Sequence, residues 1–260
     1  MPRPPIKPLS LSIFLPCYNE EANVERVARA ALTVAQGLAD EFEVIIVDDG
    51  SRDRTGELAD ALAGQLPAIR VVHNRPNRGY GGALQAGFAA AGKNWVFFTD
   101  GDGQFDMNEL DRLLPLLARY DIVAGYRMNR RDPWFRKLNG WCWTTLVNFL
   151  FGLRIRDVDC AFKILPRELF DKITLHSNGA LISTELLVRA RNAGYSITQV
   201  GVTHYPRVAG NPTGAKLRVI LRAFRELFAL YRRIKHEHPQ QNRHGGFAHA
   251  PTTKDASRTA

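Results

Sequence analysis

The sequence predicts an α/β protein with a mainly parallel central sheet and helices on both faces. Short apolar runs rich in Val, Ile and Phe alternate with longer segments of helical periodicity, the pattern of successive βαβ units. Four successive apolar runs end in polar clusters, and in such sheets ligands bind at the carboxyl ends of the strands. The chain's 260 residues, 45% hydrophobic and 23% charged, suffice to bury a proper core.

The elements follow in order. Pro2, Pro4, Pro5 and Pro8 make residues 1–9 an extended, disordered arm. "LSIFLP" reads as a strand and "EEANVERVARAALTVAQGLA" as a helix; "FEVIIVDD" and "DRTGELADALAGQL" repeat the pair. "IRVVHN" with "YGGALQAGFAAAG", and "WVFFTD" with "MNELDRLLPLLARY", give two more units, and "DIVAGYR" a further strand. Residues 10–213 thus form the main domain. Residues 214–235 read as a basic amphipathic helix, in which Leu217, Ile220, Leu221, Phe224, Leu227, Phe228 and Tyr231 recur at helical spacing among Lys and Arg. Residues 236–260 are polar, aperiodic and predicted disordered.

Several classes are excluded. The first strand end, "PCYNEE", lacks G-x-G-x-x-G, and no G-x-x-x-x-G-K-[ST] loop occurs, so neither a dinucleotide fingerprint nor a P-loop is present. Cys17, Cys142 and Cys160 show no paired spacing, which argues against a disulfide framework or a zinc site and for a reducing, cytosolic setting. The start has no apolar stretch of signal-peptide length, and no run is long enough to span a bilayer. A net charge of +9 points to a polyanionic partner: nucleic acid, a phosphorylated ligand or an anionic membrane.

The chemistry lies at the strand ends. "DGDGQ" places Asp100 and Asp102 at i and i+2, where extended chain sends both side chains the same way. Two carboxylates so close repel unless a cation or donors neutralise them. An open oxygen site suits Mg²⁺ or Mn²⁺ shared with substrate phosphates. The plainer alternative is a turn, with Asp106 capping the next helix. The Asp48-Asp49-Gly50-Ser51 stretch is equally compatible with a turn or with an acid that meets a base or ribose.

In this order, "LPCYNEE", "VDDGSRDRT", "NRGYGGALQAG", "DGDGQ" and "VAGYR" resemble the family-2 glycosyltransferases, inverting enzymes with the GT-A nucleotide-sugar fold. The resemblance spans roughly residues 10–235, and the dolichol-phosphate mannose synthase group is the most similar, on "DGDGQ", "DVDCAFKILPRELF" and "YPRVAGNP". It implies that Pro16, Tyr18 and Glu20 hold the nucleoside and that Asp49 meets the base. It implies that Asp100, Asp102 and Gln104 surround the metal and diphosphate, and that Arg127 faces the acceptor phosphate. Asp157 matches the acid opening the family's D-x-x-S-G-F-R segment, where this chain has Cys160, Ala161 and Lys163. Arg207 and Gly210 match a later R-x-x-G-x-S-K segment, but Pro212 and Thr213 replace Ser-Lys, with Lys216 nearby to supply a charge.

The implied reaction is inverting transfer of a hexose from a GDP- or UDP-linked donor to a polyprenyl phosphate, on the cytoplasmic membrane face. A phosphate acceptor is already ionised and needs cations rather than a base; Arg127, Arg207 and Lys163 are the candidates. A soluble enzyme acting on a sugar hydroxyl is the rival and requires a base, Asp157 or Asp159. A nucleic-acid-binding module leaves the acidic strand ends unexplained, and a dead sensor is disfavoured by the intact Asp100, Asp102 and Gln104. The helix at 214–235 and "GWCWTTLVNFLFGL" either lie on an anionic membrane or pack on the core. Nothing in the sequence specifies an oligomeric state.

Overall fold

Each apolar run becomes a strand because its side chains find cover on both faces of one sheet. The computed structural model describes residues 9–128, 134–207 and 217–237. The elements are β1 (Ser10–Cys17), α1 (Val24–Leu38), β2 (Glu41–Asp48), α2 (Thr55–Gln65), β3 (Ile69–His73), α3 (Gly79–Ala90), β4 (Trp95–Phe98), β5 (Ile122–Met128), α4 (Trp134–Phe151), β6 (Lys163–Pro166), α5 (Leu169–Lys172), α6 (Ile182–Asn192), β7 (Ile197–Thr203) and α7 (Leu217–Glu237). They form a seven-stranded sheet in the order β3-β2-β1-β4-β6-β5-β7. All pairings are parallel except those of β6, which runs antiparallel between β4 and β5.

The two-residue alternation of strands divides the core. Ile13, Leu15, Ile46 and Phe97 pack with α1 and α2 on one face. Phe14, Ile45, Val47 and Phe98 pack on the other with residues of α3, α4, α6 and α7. Phe14 stacks on Phe98 at 5.4 Å and meets Phe88 edge-on at 5.0 Å.

Two expectations change. The helix expected over 107–120 is two 3-10 segments, Met107–Arg112 and Leu114–Ala118. Pro115 lacks the N–H that a continuous helix needs, so the backbone closes i→i+3 bonds instead, such as Leu113 N to Leu110 O at 3.0 Å. Asp106 does cap the first segment, accepting from Asn108 N at 3.0 Å. Leu9, assigned to the disordered arm, is buried and its N–H donates to Asp40 Oδ2 at 2.7 Å. The basic helix packs on the core through Leu227, Leu230 and Ile234, while Phe224 and Phe228 stay exposed. Residues 1–8, the tail from 238, and Gly210, Pro212, Thr213 and Lys216 lie outside the described residues.

Candidate active site

The parallel register carries the carboxyl ends of β1, β2 and β4 to one edge. Cys17 pairs with Asp48 and Phe14 with Phe98, so the loops after these strands meet. The D-G-D-G turn leans on β1 through Gly101 N to Pro16 O at 3.2 Å. A Cβ at Gly101 would strike Cys17 Sγ and lie 3.1 Å from Pro16 O, so only glycine allows this approach. Gly103, at φ +72°, completes the turn.

The two aspartates stand in different surroundings. Asp100 Oδ1 is buried with no hydrogen-bond partner. Burial, then the neighbouring Asp102 charge, pushes the Asp100 carboxyl up to about 7. Asp102 Oδ1 accepts from Gln104 N at 3.1 Å. Burial raises the Asp102 carboxyl too, against the opposing pull of that hydrogen bond and of Arg207 and Arg26. An orphaned buried carboxyl oxygen beside a second carboxylate fits a divalent cation. Among the described residues no cluster of three His, Cys, Asp or Glu completes a protein cage, so Asp100 and Asp102 would share the ion with substrate oxygens and water.

Around this pair the expected donor residues hold defined places. Pro16 lies in β1. Tyr18 is exposed at the rim. Glu20 is buried: its Oε2 accepts from Asn23 Nδ2 at 2.8 Å, and its Oε1 accepts from Arg207. Asp49 is buried, with Oδ1 accepting from Asn74 Nδ2 at 2.8 Å and Arg78 N at 2.9 Å, which ties the end of β2 to the loop before α3. Gln104, expected around the metal, donates its Nε2 to Tyr205 O at 2.8 Å, stitching the turn to the segment after β7.

Around the residues expected to meet the acceptor, charge is paired internally. Arg127 grips Asp157 through Nε to Oδ2 at 2.7 Å and Nη2 to Oδ1 at 2.8 Å. Burial opposes the Asp157 charge, but the hydrogen bonds and charge of Arg127 outweigh it and hold the carboxyl below its usual range. Lys163 requires a correction. It is fully buried in β6, and its Nζ donates to Val158 O at 3.2 Å and to Cys160 O. Its inward position spends the ammonium on the 158–160 turn rather than on an acceptor phosphate, and burial lowers its pKa.

Sequence reasoning missed three residues here. Asn23 and Arg26 look like ordinary positions of an amphipathic helix. His73 bridges Asp48 Oδ2 at 3.0 Å and Asp60 Oδ1 at 2.9 Å; "HN" after a strand carried no such signal. The N-terminus of α3 is met from within the chain: Gly81 N donates to Asn178 O at 2.9 Å.

Comparison with known proteins extends the geometry. The family described as glycosyl transferase family 2 matches residues 12–174. Glycosyltransferase AglD of Haloferax volcanii is 33% identical over 209 residues, covering 76% of this chain and 34% of that protein. The dodecaprenyl-phosphate galacturonate synthase of Rhizobium johnstonii is 32% identical over 218 residues, covering 79% and 62%. The chain therefore spans about one to two thirds of these relatives' lengths. Crystal structures of glucosyl-3-phosphoglycerate synthase from Mycobacterium tuberculosis, one with Mn²⁺, UDP and glucosyl-3-phosphoglycerate, share the fold. That complex is 24% identical, has a TM-score of 0.62, and covers 86% of this chain and 76% of that one. The family match, the order of the motifs and the sheet topology agree: the chain belongs to glycosyl transferase family 2 and has the GT-A type of fold.

Proposed function

We propose that the protein transfers a hexose, with inversion, from a GDP- or UDP-linked donor to a polyprenyl phosphate, with Mg²⁺ or Mn²⁺ as cofactor. The observation that carries the acceptor class is the Arg127–Asp157 pair. A hydroxyl acceptor needs a base, and a carboxylate clamped by two guanidinium hydrogen bonds and held below its usual pKa is a poor one. A phosphate acceptor needs a positioned cation. Arg127 spends Nε and Nη2 on Asp157, which fixes the plane of the guanidinium and leaves Nη1 outside the pair for a phosphate oxygen. Asp100 and Asp102 would hold the ion, which when bound offsets charge on the departing diphosphate. Pro16, Tyr18, Glu20 and Asp49 line the donor side, and Arg207 reaches both Glu20 and the neighbourhood of Asp102. Named relatives support this reading. One is the galacturonate synthase above; another is the undecaprenyl-phosphate 4-deoxy-4-formamido-L-arabinose transferase of Pseudomonas paraeruginosa, 30% identical over 213 residues.

A polyprenyl acceptor requires access to a membrane, and the surface supports peripheral contact. Among the described residues no helix is long and apolar enough to cross a bilayer. Yet Trp141, Phe149, Phe224 and Phe228 are 66%, 84%, 38% and 51% exposed on α4 and α7, which meet through Trp143 and Phe224 rings 5.6 Å apart. Arg225, Arg232, Arg233 and Lys235 are exposed beside them. Each basic side chain near an anionic leaflet contributes about 1 kcal/mol.

The test is an assay of purified protein with a panel of GDP- and UDP-hexoses, Mn²⁺ or Mg²⁺, and a water-soluble short-chain polyprenyl phosphate. The expected result is metal-dependent formation of an anomerically inverted glycosyl phosphate. Donor hydrolysis with no such product, or transfer only to saccharide hydroxyls, refutes the proposal.

A further inference from the structure

We propose that Arg26 is a further diphosphate-binding residue of the donor site, resting on the D-G-D-G turn and linked through Asn23 and Glu20 to Arg207. The inference rests on reading the cleft as a nucleotide-sugar site.

Arg26 lies in the first turn of α1, immediately after the "CYNEE" loop. A Cβ placed on Gly103 would collide with its guanidinium, lying 3.0 Å from Cζ and 3.2 Å from Nη1. The group therefore rests directly on the D-G-D-G turn, with no side chain between. Its orientation is fixed by a relay of polar contacts. Arg26 Nη2 donates to Asn23 Oδ1 at 3.3 Å, Asn23 Nδ2 donates to Glu20 Oε2 at 2.8 Å, and Arg207 donates to the other oxygen of Glu20. One buried Glu-Asn scaffold thus anchors both arginines.

Arg29, one turn further along α1, is a useful contrast. It pairs with Glu25 at 2.9 Å, an ordinary exposed i,i+4 bridge. Among the described residues the hydrogen-bond partner of the Arg26 side chain is the neutral Asn23 Oδ1. Its charge is not consumed by a carboxylate, although it stands beside an acidic turn.

Charge balance indicates the ligand. Two carboxylates and one divalent ion cancel. A sugar nucleotide brings a doubly negative diphosphate; Arg207 is already paired with Glu20, so Arg26 supplies positive charge not committed to a carboxylate to offset it. When the sugar leaves, the diphosphate gains charge, so the same positive charge favours departure. Arginine suits this because its planar donors match phosphate oxygens.

The experiment titrates UDP and GDP, with Mn²⁺ present, into full-length wild type, Arg26→Ala, Arg26→Lys and Arg29→Ala. Binding of Mn²⁺ alone is followed by electron paramagnetic resonance. Arg26→Ala is expected to weaken the preferred nucleoside diphosphate about tenfold or more, the range of a charged hydrogen bond. Mn²⁺ alone is expected to bind no more weakly, because a neighbouring positive charge has been removed. Arg26→Lys recovers part of the loss, and Arg29→Ala matches wild type. Unchanged nucleotide affinity in Arg26→Ala overturns the inference. So does an equal loss of nucleotide and free Mn²⁺, which marks a merely structural brace. Wild type that binds neither nucleotide overturns the donor-site reading itself, and this inference with it.

Discussion

Just after β4 a buried oxygen of Asp100 has no partner, whereas at the end of β5 the charge of Arg127 and that of Asp157 satisfy each other through two short hydrogen bonds. The half proposed to take the donor holds a buried carboxyl oxygen that no protein group meets, open to a partner from outside. The half proposed to take the acceptor presents positive charge already oriented and partly neutralised from within. The difference fits the two ligands proposed. A sugar nucleotide arrives with a metal ion, so its site can carry an unpaid negative excess. An acceptor phosphate arrives without one, so its arginine must be held still without forfeiting all its donors.

The largest effect tests the donor half. Asp100→Asn removes a charge but little volume, and turnover in the polyprenyl-phosphate assay should fall by about 10²-fold or more. The same variant should lose the rise in thermal midpoint that Mn²⁺ plus nucleoside diphosphate gives wild type. If the rise persists undiminished, the orphaned oxygen does not serve the ion.

Breaking the acceptor pair comes next. Asp157→Asn leaves a largely buried guanidinium without its counter-charge; removing one partner of such a pair costs roughly 3–5 kcal/mol. Urea unfolding measures this. A loss under about 1 kcal/mol would mean that the pair is not the rigid support described here.

A third substitution addresses the route from membrane to cleft. Phe149→Ser with Phe228→Ser should reduce co-sedimentation with vesicles containing phosphatidylserine. Folded stability should change by less than about 1 kcal/mol, because both rings are already exposed. Undiminished vesicle binding would assign the attraction to charge alone.

The smallest effect concerns His73. Burial disfavours its charge, but its bonds to Asp48 and Asp60 outweigh this and raise its pKa. The folded value therefore exceeds the unfolded value of about 6.5, so the stabilisation is complete below that pH and fades as pH rises through the folded value. Its size is roughly 1 kcal/mol or less, since the Asp60 side chain is 60% exposed. His73→Asn should flatten the stability–pH curve above pH 6.5; an unchanged slope there would locate the titration elsewhere.

Much of this was legible in the order of residues. Apolar runs, helical periods and acidic strand ends are local patterns, so the parallel units from β1 to β5 and the Asp100–Asp102 pair could be read directly. The failures also have local causes. Pro115 was read through as helix although it lacks the N–H needed. Lys163 looked like a free cation because a strand's period does not say which neighbours close over it. Arg26 was overlooked because its partner is a glycine 77 positions away in sequence, and absent side chains leave no pattern.

The sequence by itself determined the family motifs, the alternation that builds the sheet and the acidic character of the strand ends, because each depends on residues a few positions apart. Only the tertiary structure decided which charges remain to be met. Pairing between Arg127 and Asp157, burial of Lys163 and the approach of Arg26 and Arg207 to Asp102 depend on how distant segments pack, and desolvation sets the energy of a charge only once those segments have closed around it.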